Sequence, residues 1–208
     1  MPILRLAGAL AASLVLVAST ATAQEQQQAP LRVAASSFAS TEVHLNARRI
    51  GNRWFEEDAS LTGPSRIAIT YGQPHARGRR VEGGLIPVDT VWRFGANAAT
   101  TLHTDVDMTV GDVRLEAGDY SLFVLNSRTG WLLIVNRRTG IWGSDYDRTR
   151  DVGRIPLATR ALAEPEESLS VYLVPESARP AQGYAELRGV LRIKWGRTEL
   201  STTWRVAQ

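Results

Sequence analysis

From Arg66 onward, apolar and polar residues alternate one for one over most of the chain. That period of two restricts the chain to strands with one buried face. Leu102, Thr104, Val106, Met108 and Val110 alternate with His103, Asp105, Asp107 and Thr109. Leu191, Ile193 and Trp195 alternate with Arg192 and Lys194, and Leu200, Thr202, Trp204 and Val206 alternate with Ser201, Thr203 and Arg205. Gly196-Arg197, between these last two runs, predicts a tight hairpin with the glycine at positive φ. Leu169, Val171 and Leu173 form another half-buried strand after an acidic turn over Glu164 to Glu167. Two runs break the alternation: Tyr120 to Leu125 and Trp131 to Val135 are apolar on both sides, joined by the turn Ser127-Arg128-Thr129-Gly130. Such a hairpin belongs in the middle of the structure, covered on each face. About ten short strands with no long amphipathic helix predict an all-β fold, an antiparallel β-sandwich of jelly-roll type.

Residues 1–23 read as a signal peptide, with Arg5 as its positive start, Leu6 to Ala18 as its apolar stretch and Ala21-Thr22-Ala23 as its cleavage site. The apolar stretch falls short of the ~20 residues of a spanning helix. The expectation is export, to the periplasm or the extracellular space, with no membrane anchor after cleavage. Residues 24–40, rich in Gln, Ala and Ser, read as a flexible leader. Residues 41–60 read as an N-terminal extension whose Val43, Leu45, Ile50, Trp54 and Phe55 fit either a helical stripe or a short strand. Residues 61–208 then form one β-sandwich domain. The chain has no cysteine, which excludes disulfides and a lipid-modified cysteine. Its 24 basic and 21 acidic residues are interspersed, and Lys194 is the sole lysine. Without a basic block, the sequence argues against nucleic acid and anionic membrane as partners.

The most unusual residues cluster between Tyr71 and Tyr120. They are Tyr71-Gly72-Gln73-Pro74, Gly78-Arg79-Arg80, the run Val91 to Thr100 that holds Trp92-Arg93-Phe94-Gly95-Ala96-Asn97, and Leu115 to Tyr120. Trp131 to Asn136, Trp142-Gly143, Tyr146 and Asp151 continue the pattern. In this order the blocks resemble the secreted bacterial family catalogued as Domain of Unknown Function 2911, a resemblance that implies no settled activity. The chain departs from it at three positions: Gln73 stands for a usual Arg, Glu82 for a usual aromatic residue, and Ala98 for a usual Glu or Asp. Alanine holds no proton, so an acid–base role at position 98 is excluded.

None of the strong catalytic motifs occurs: there is no phosphate-binding glycine loop, no His-Glu-x-x-His and no Gly-x-Ser-x-Gly. Three constellations remain. Tyr71, His75, Arg79, Trp92, Arg93 and Asn97 combine guanidinium forks with aromatic surface, the materials of a site for a polar or anionic small molecule, a glycan or an envelope protein. The competing reading is that the arginines brace loops and Trp92 is core. His103, Asp105 and Asp107 share the polar face of one strand and form a weak candidate for a divalent metal, against a plain solvated face. Trp142, Asp145, Tyr146, Asp147 and Asp151 form a loop read either as braced, with Asp151 accepting from Arg154, or as a calcium-like site. No cofactor is expected. The leading expectation is a ligand-binding module. The alternatives are a hydrolase acting on an envelope or extracellular polymer, and a structural or assembly module without a small-molecule site.

Overall fold

The computed structural model describes residues 31–45, 47–50, 53–56, 65–176 and 187–207. The signal segment 1–23, the start of the leader and parts of the 41–60 extension lie outside the described residues. By its contacts the chain divides into a unit of residues 1–32, of which only Leu31 and Arg32 are described, and a unit of residues 33–208. The second carries every described strand. In chain order these are β1 (Ser36–Leu45), β2 (Ala47–Ile50), β3 (Arg53–Glu56), β4 (Ser65–Pro74), β5 (Val91–Trp92), β6 (Thr100–Thr104), β7 (Met108–Val110), β8 (Val113–Leu115), β9 (Gly118–Ser127), β10 (Gly130–Asn136), β11 (Asp151–Pro175) and β12 (Arg188–Val206). β2 and β3 form their own hairpin. The others join in the order β1-β4-β6-β9-β10-β11-β12-β7-β8, with β5 on β9, and every pairing between them is antiparallel.

This single path folds over on itself as a sandwich. Leu157 to Asp151 of β11 pair with β10, while Ala158 to Pro175 pair with β12. One continuous core joins Ile67 and Ile69 of β4, Leu122 and Val124 of β9 and Leu133 of β10 to Leu169 and Val171 of β11, Leu191 and Trp204 of β12 and Met108 of β7. Removing these side chains from water is the main favourable term in holding the two layers face to face. The far edge of β11 closes against β4 and β1. The Val171 amide donates to the Tyr71 hydroxyl at 3.1 Å, and the Leu173 amide donates to Thr41 Oγ1 at 3.4 Å.

The doubly apolar hairpin sits as its composition requires. Leu122, Val124, Leu133 and Val135 face the main core, while Phe123 and Ile134 are buried on the outer face with Ala99, under Ile141 and Tyr146. The segment after β10 folds back to provide that cover.

Four readings of the sequence need correction. Gly196-Arg197 is not a hairpin, and Glu164 to Glu167 is not a turn. Both lie inside long strands, of 19 residues in β12 and 25 in β11, so these two strands are not short. Register shifts oppose each other there, as β11 advances from Ala161 to Ser170 while β12 moves only from Thr198 to Lys194. Bulges bend a ribbon without ending it, so β11 and β12 stay paired on both sides of the irregularity. Leu102 to Val110 is not one strand either. β6 pairs with β4 and β9, whereas β7 pairs with β12 and β8. Asp105 fixes the crossing by accepting the Arg66 amide at 2.8 Å, and Asp107 by accepting the Ala117 amide at 3.0 Å. Finally, residues 36–40 of the supposed leader belong to β1, in register with β4 from Ser36↔Pro74 to Leu45↔Ser65. An edge strand needs little apolar surface when its main chain is paired, and Ala39 and Val43 supply it.

Candidate functional site

The segment after β4 turns sharply at Arg77 (φ 51°) and Gly78 (φ 71°). Arg79 locks that turn twice: its amide donates to Ala76 O at 3.0 Å, and its guanidinium donates to Ala76 O at 2.9 Å and His75 O at 2.8 Å. His75 is 9% exposed, wedged between Ser37 Oγ at 3.0 Å and Ser168 Oγ at 2.7 Å. The β11 bend holds the same turn, because Glu167 O accepts the Ala76 amide and Glu167 Oε1 accepts the Arg77 amide.

Across from this turn, Gly196 (φ 58°) forms the β12 side of the bend. A Cβ there would come within 2.8 Å of Val81 Cβ and 2.9 Å of Glu82 Oε1, so both conformation and space demand glycine. Glu82 Oε1 accepts the Arg197 amide at 3.1 Å, tying the loop to the bend. Between them lies a cleft of about 330 Å³, walled by Arg79, Arg80 and Arg197 and by Glu82, Glu166 and Glu167. Arg80 Nε donates to Glu82 O at 2.7 Å, and Arg197 Nη1 to Ala163 O at 3.0 Å. Each arginine is thus anchored to a main-chain carbonyl. Among the described residues none of the three stands in an ion pair, although three carboxylates share the cleft.

The first sequence constellation divides around this end of the sandwich. Arg79 borders the cleft as a loop brace, and His75 braces the same turn from outside the cleft lining. Tyr71 is buried on the core side, and burial raises its hydroxyl pKa against the opposing bond from Val171. Trp92 stacks on Trp195, ring centroids 5.5 Å apart, and packs against the core. Arg93 and Asn97 lie elsewhere, in the loop before β6. Arg93 Nη1 approaches Asn97 O at 3.4 Å, Asn97 Nδ2 donates to Ser36 Oγ at 3.2 Å, and Gly143 packs on the Arg93 stem. Sequence reading missed Arg80, Arg197 and the three glutamates as one group. The available signal is Gly196-Arg197, a pair that fits a hairpin equally well.

The positions that depart from the resemblance have their own partners. Gln73 Nε2 donates to Leu169 O at 2.9 Å, Glu82 holds Arg197, and exposed Ala98 bridges to Trp142.

The other two constellations are arranged differently from their sequence grouping. His103 lies between two carboxylates, with Nδ1 2.7 Å from Asp119 and Nε2 2.8 Å from Asp105. Asp107 instead faces Arg114 and the Ala117 amide. The hydrogen bond to Asp119 raises the His103 pKa; burial works against this and Asp105 adds to it. In the loop after β10, Asp151 accepts from Tyr146 at 2.7 Å, from Asn136 at 2.9 Å and twice from Arg154 at 3.0 Å. Burial, then Asp151, push the Tyr146 hydroxyl up to about 12. Asp147 caps the short 3₁₀ turn Arg148–Arg150, Asp145 accepts from Ser144, and Trp142 stands exposed. Among the described residues no group of three or more His, Asp or Glu side chains is placed to hold a metal ion.

Residues 56–203 match the pattern of a family described as "Protein of unknown function (DUF2911)". The chain belongs to that family. The matched span takes in both walls of the cleft, and β1 lies outside it. No curated protein and no solved structure matches the chain.

Proposed function

We propose that this member of the family is a binding module whose cleft takes a small polar ligand bearing an anionic group. The observation that carries the reading is the trio Arg79, Arg80 and Arg197, anchored to carbonyls yet outside any ion pair among the described residues, around an open cleft. A guanidinium keeps its charge at any ordinary pH and presents a fork suited to carboxylate or phosphate. Anchoring removes part of the ordering cost that binding would otherwise meet. Glu82, Glu166 and Glu167 add acceptors for hydroxyl or ammonium groups, so a sugar acid or an amino-acid derivative fits better than a bare anion. A hydrolase reading finds less support, because both ring nitrogens of His103 already face carboxylates. With the signal peptide removed, the ligand is met outside the cytoplasm.

The test is a thermal-shift panel on the chain from Gln24 with sugar acids, amino-acid derivatives, dicarboxylates and phosphate esters. Ligand at a hundredfold excess over its dissociation constant adds about 2.7 kcal/mol. The expected hit disappears in Arg197→Ala and in Arg80→Ala, both exposed positions. A panel without shifts, or a hit indifferent to both variants, removes the cleft from consideration.

A further inference from the structure

Away from the cleft, the β11–β12 ribbon gathers three cations on one carboxylate. The Glu199 side chain is only 5% exposed, yet it accepts from Arg160 Nη2 at 2.6 Å and Arg192 Nη1 at 3.1 Å, with Lys194 Nζ 3.7 Å away. Burial opposes ionisation of Glu199, but the three cations outweigh it and hold the carboxyl below the usual glutamate range. Three positive charges against one negative leave an excess, and the Arg160 and Arg192 side chains remain 64% and 44% exposed. Arg192 and Lys194 are two apart on β12, so they leave one face of the ribbon about 6.5–7 Å from each other. Tyr172, in register with Arg192, is exposed beside them, its ring centroid 5.7 Å from Lys194 Nζ.

One guanidinium would neutralise Glu199. The second and third cations repel each other and the first, a cost that a further anion removes. The face therefore offers guanidinium forks beside an aromatic ring. We propose that this face binds an acidic polysaccharide, with sugar carboxylates on Arg160 and Arg192 and a sugar ring against Tyr172. A uronate polymer carries a carboxylate on every ring, so one chain presents anions to the guanidinium forks and a ring face to Tyr172. Duplex DNA carries about one charge per 1.7 Å and calls for a denser basic row than this ribbon has.

The experiment is affinity electrophoresis of the mature chain in gels containing polygalacturonate, a neutral glucan or double-stranded DNA. Polygalacturonate should retard the protein and the neutral glucan should not. Arg192→Gln and Tyr172→Ala should each weaken retardation about tenfold. Both leave Arg160 and Lys194 on Glu199, and a thermal melt of each variant verifies folding. Should Arg192→Gln melt early, Arg192→Lys keeps the charge without the fork and should still weaken retardation. No retardation, retardation of both variants as strong as that of the unsubstituted chain, or stronger retardation by DNA would overturn the proposal. Loss of retardation in Arg197→Ala alone would place the polymer in the cleft and also overturn it. Failure of the cleft panel leaves this proposal standing, because the two surfaces use different residues.

Discussion

Tyr71 sets its hydroxyl against the Val171 amide, so that a main-chain donor in the core is satisfied by a side chain a hundred residues away in sequence. Tyr71→Phe keeps the ring and orphans that amide. We expect a loss of about 1–3 kcal/mol in urea unfolding, the cost of an unpaired buried donor; a loss below experimental error would mean that water replaces the hydroxyl. His103 gives a second prediction, about pH. Its folded pKa is raised, first by Asp119, so the protonated form is favoured by folding. That contribution is complete below the ordinary histidine value of 6.5 and is lost as pH rises through the raised folded value. His103→Gln should flatten the fall in melting temperature above pH 6.5; an unchanged profile would show that the clamp contributes nothing. Glu199 acts with the opposite sign, its contribution present above 4.5 and lost as pH falls through its lowered value.

At the scale of elements, the bend in β11 and β12 decides the architecture and holds one wall of the cleft. Gly196→Ala meets a positive φ and the side chains of Val81 and Glu82 together. It should cost at least ~1 kcal/mol and loosen the cleft, read as a lower melting temperature and a weaker ligand shift. Unchanged stability would mean that the bend tolerates a side chain. This is also where sequence reasoning stopped. A glycine at positive φ serves a hairpin and a bulge alike, and the partner that distinguishes them, Glu166, sits far away on β11. The crossing after Thr104 hid for a related reason. Leu102, Thr104, Met108 and Val110 are all buried, so the period of two survives a change of layer. By contrast the β9–β10 hairpin was legible, because its two apolar faces and its Ser127–Gly130 turn are local properties.

For the whole molecule, β1 lies outside the family match yet covers the edge of β4. A chain beginning after Leu45 should expose that edge and self-associate, which size-exclusion chromatography with light scattering would detect. A chain beginning at Val33 should remain monodisperse; if both behave alike, β1 is dispensable. The cleft itself is only half legible in the sequence. Arg79 stood out in a dense block, but Arg197 reaches Glu82 across 115 positions, and no local pattern announces such a pairing. Along the far edge of β11, beyond the contacts of Gln73 with Leu169 and of His75 with Ser168, the layers meet through the hydroxyls of Tyr71 and Thr41. Two side-chain contacts hold less firmly than a ladder of main-chain bonds. The molecule therefore has a seam: in hydrogen–deuterium exchange, Val171 and Leu173 should take up deuterium before Leu133 and Ile134 at the centre of the sheet. Opening of the sandwich should begin there, as a book opens away from its spine.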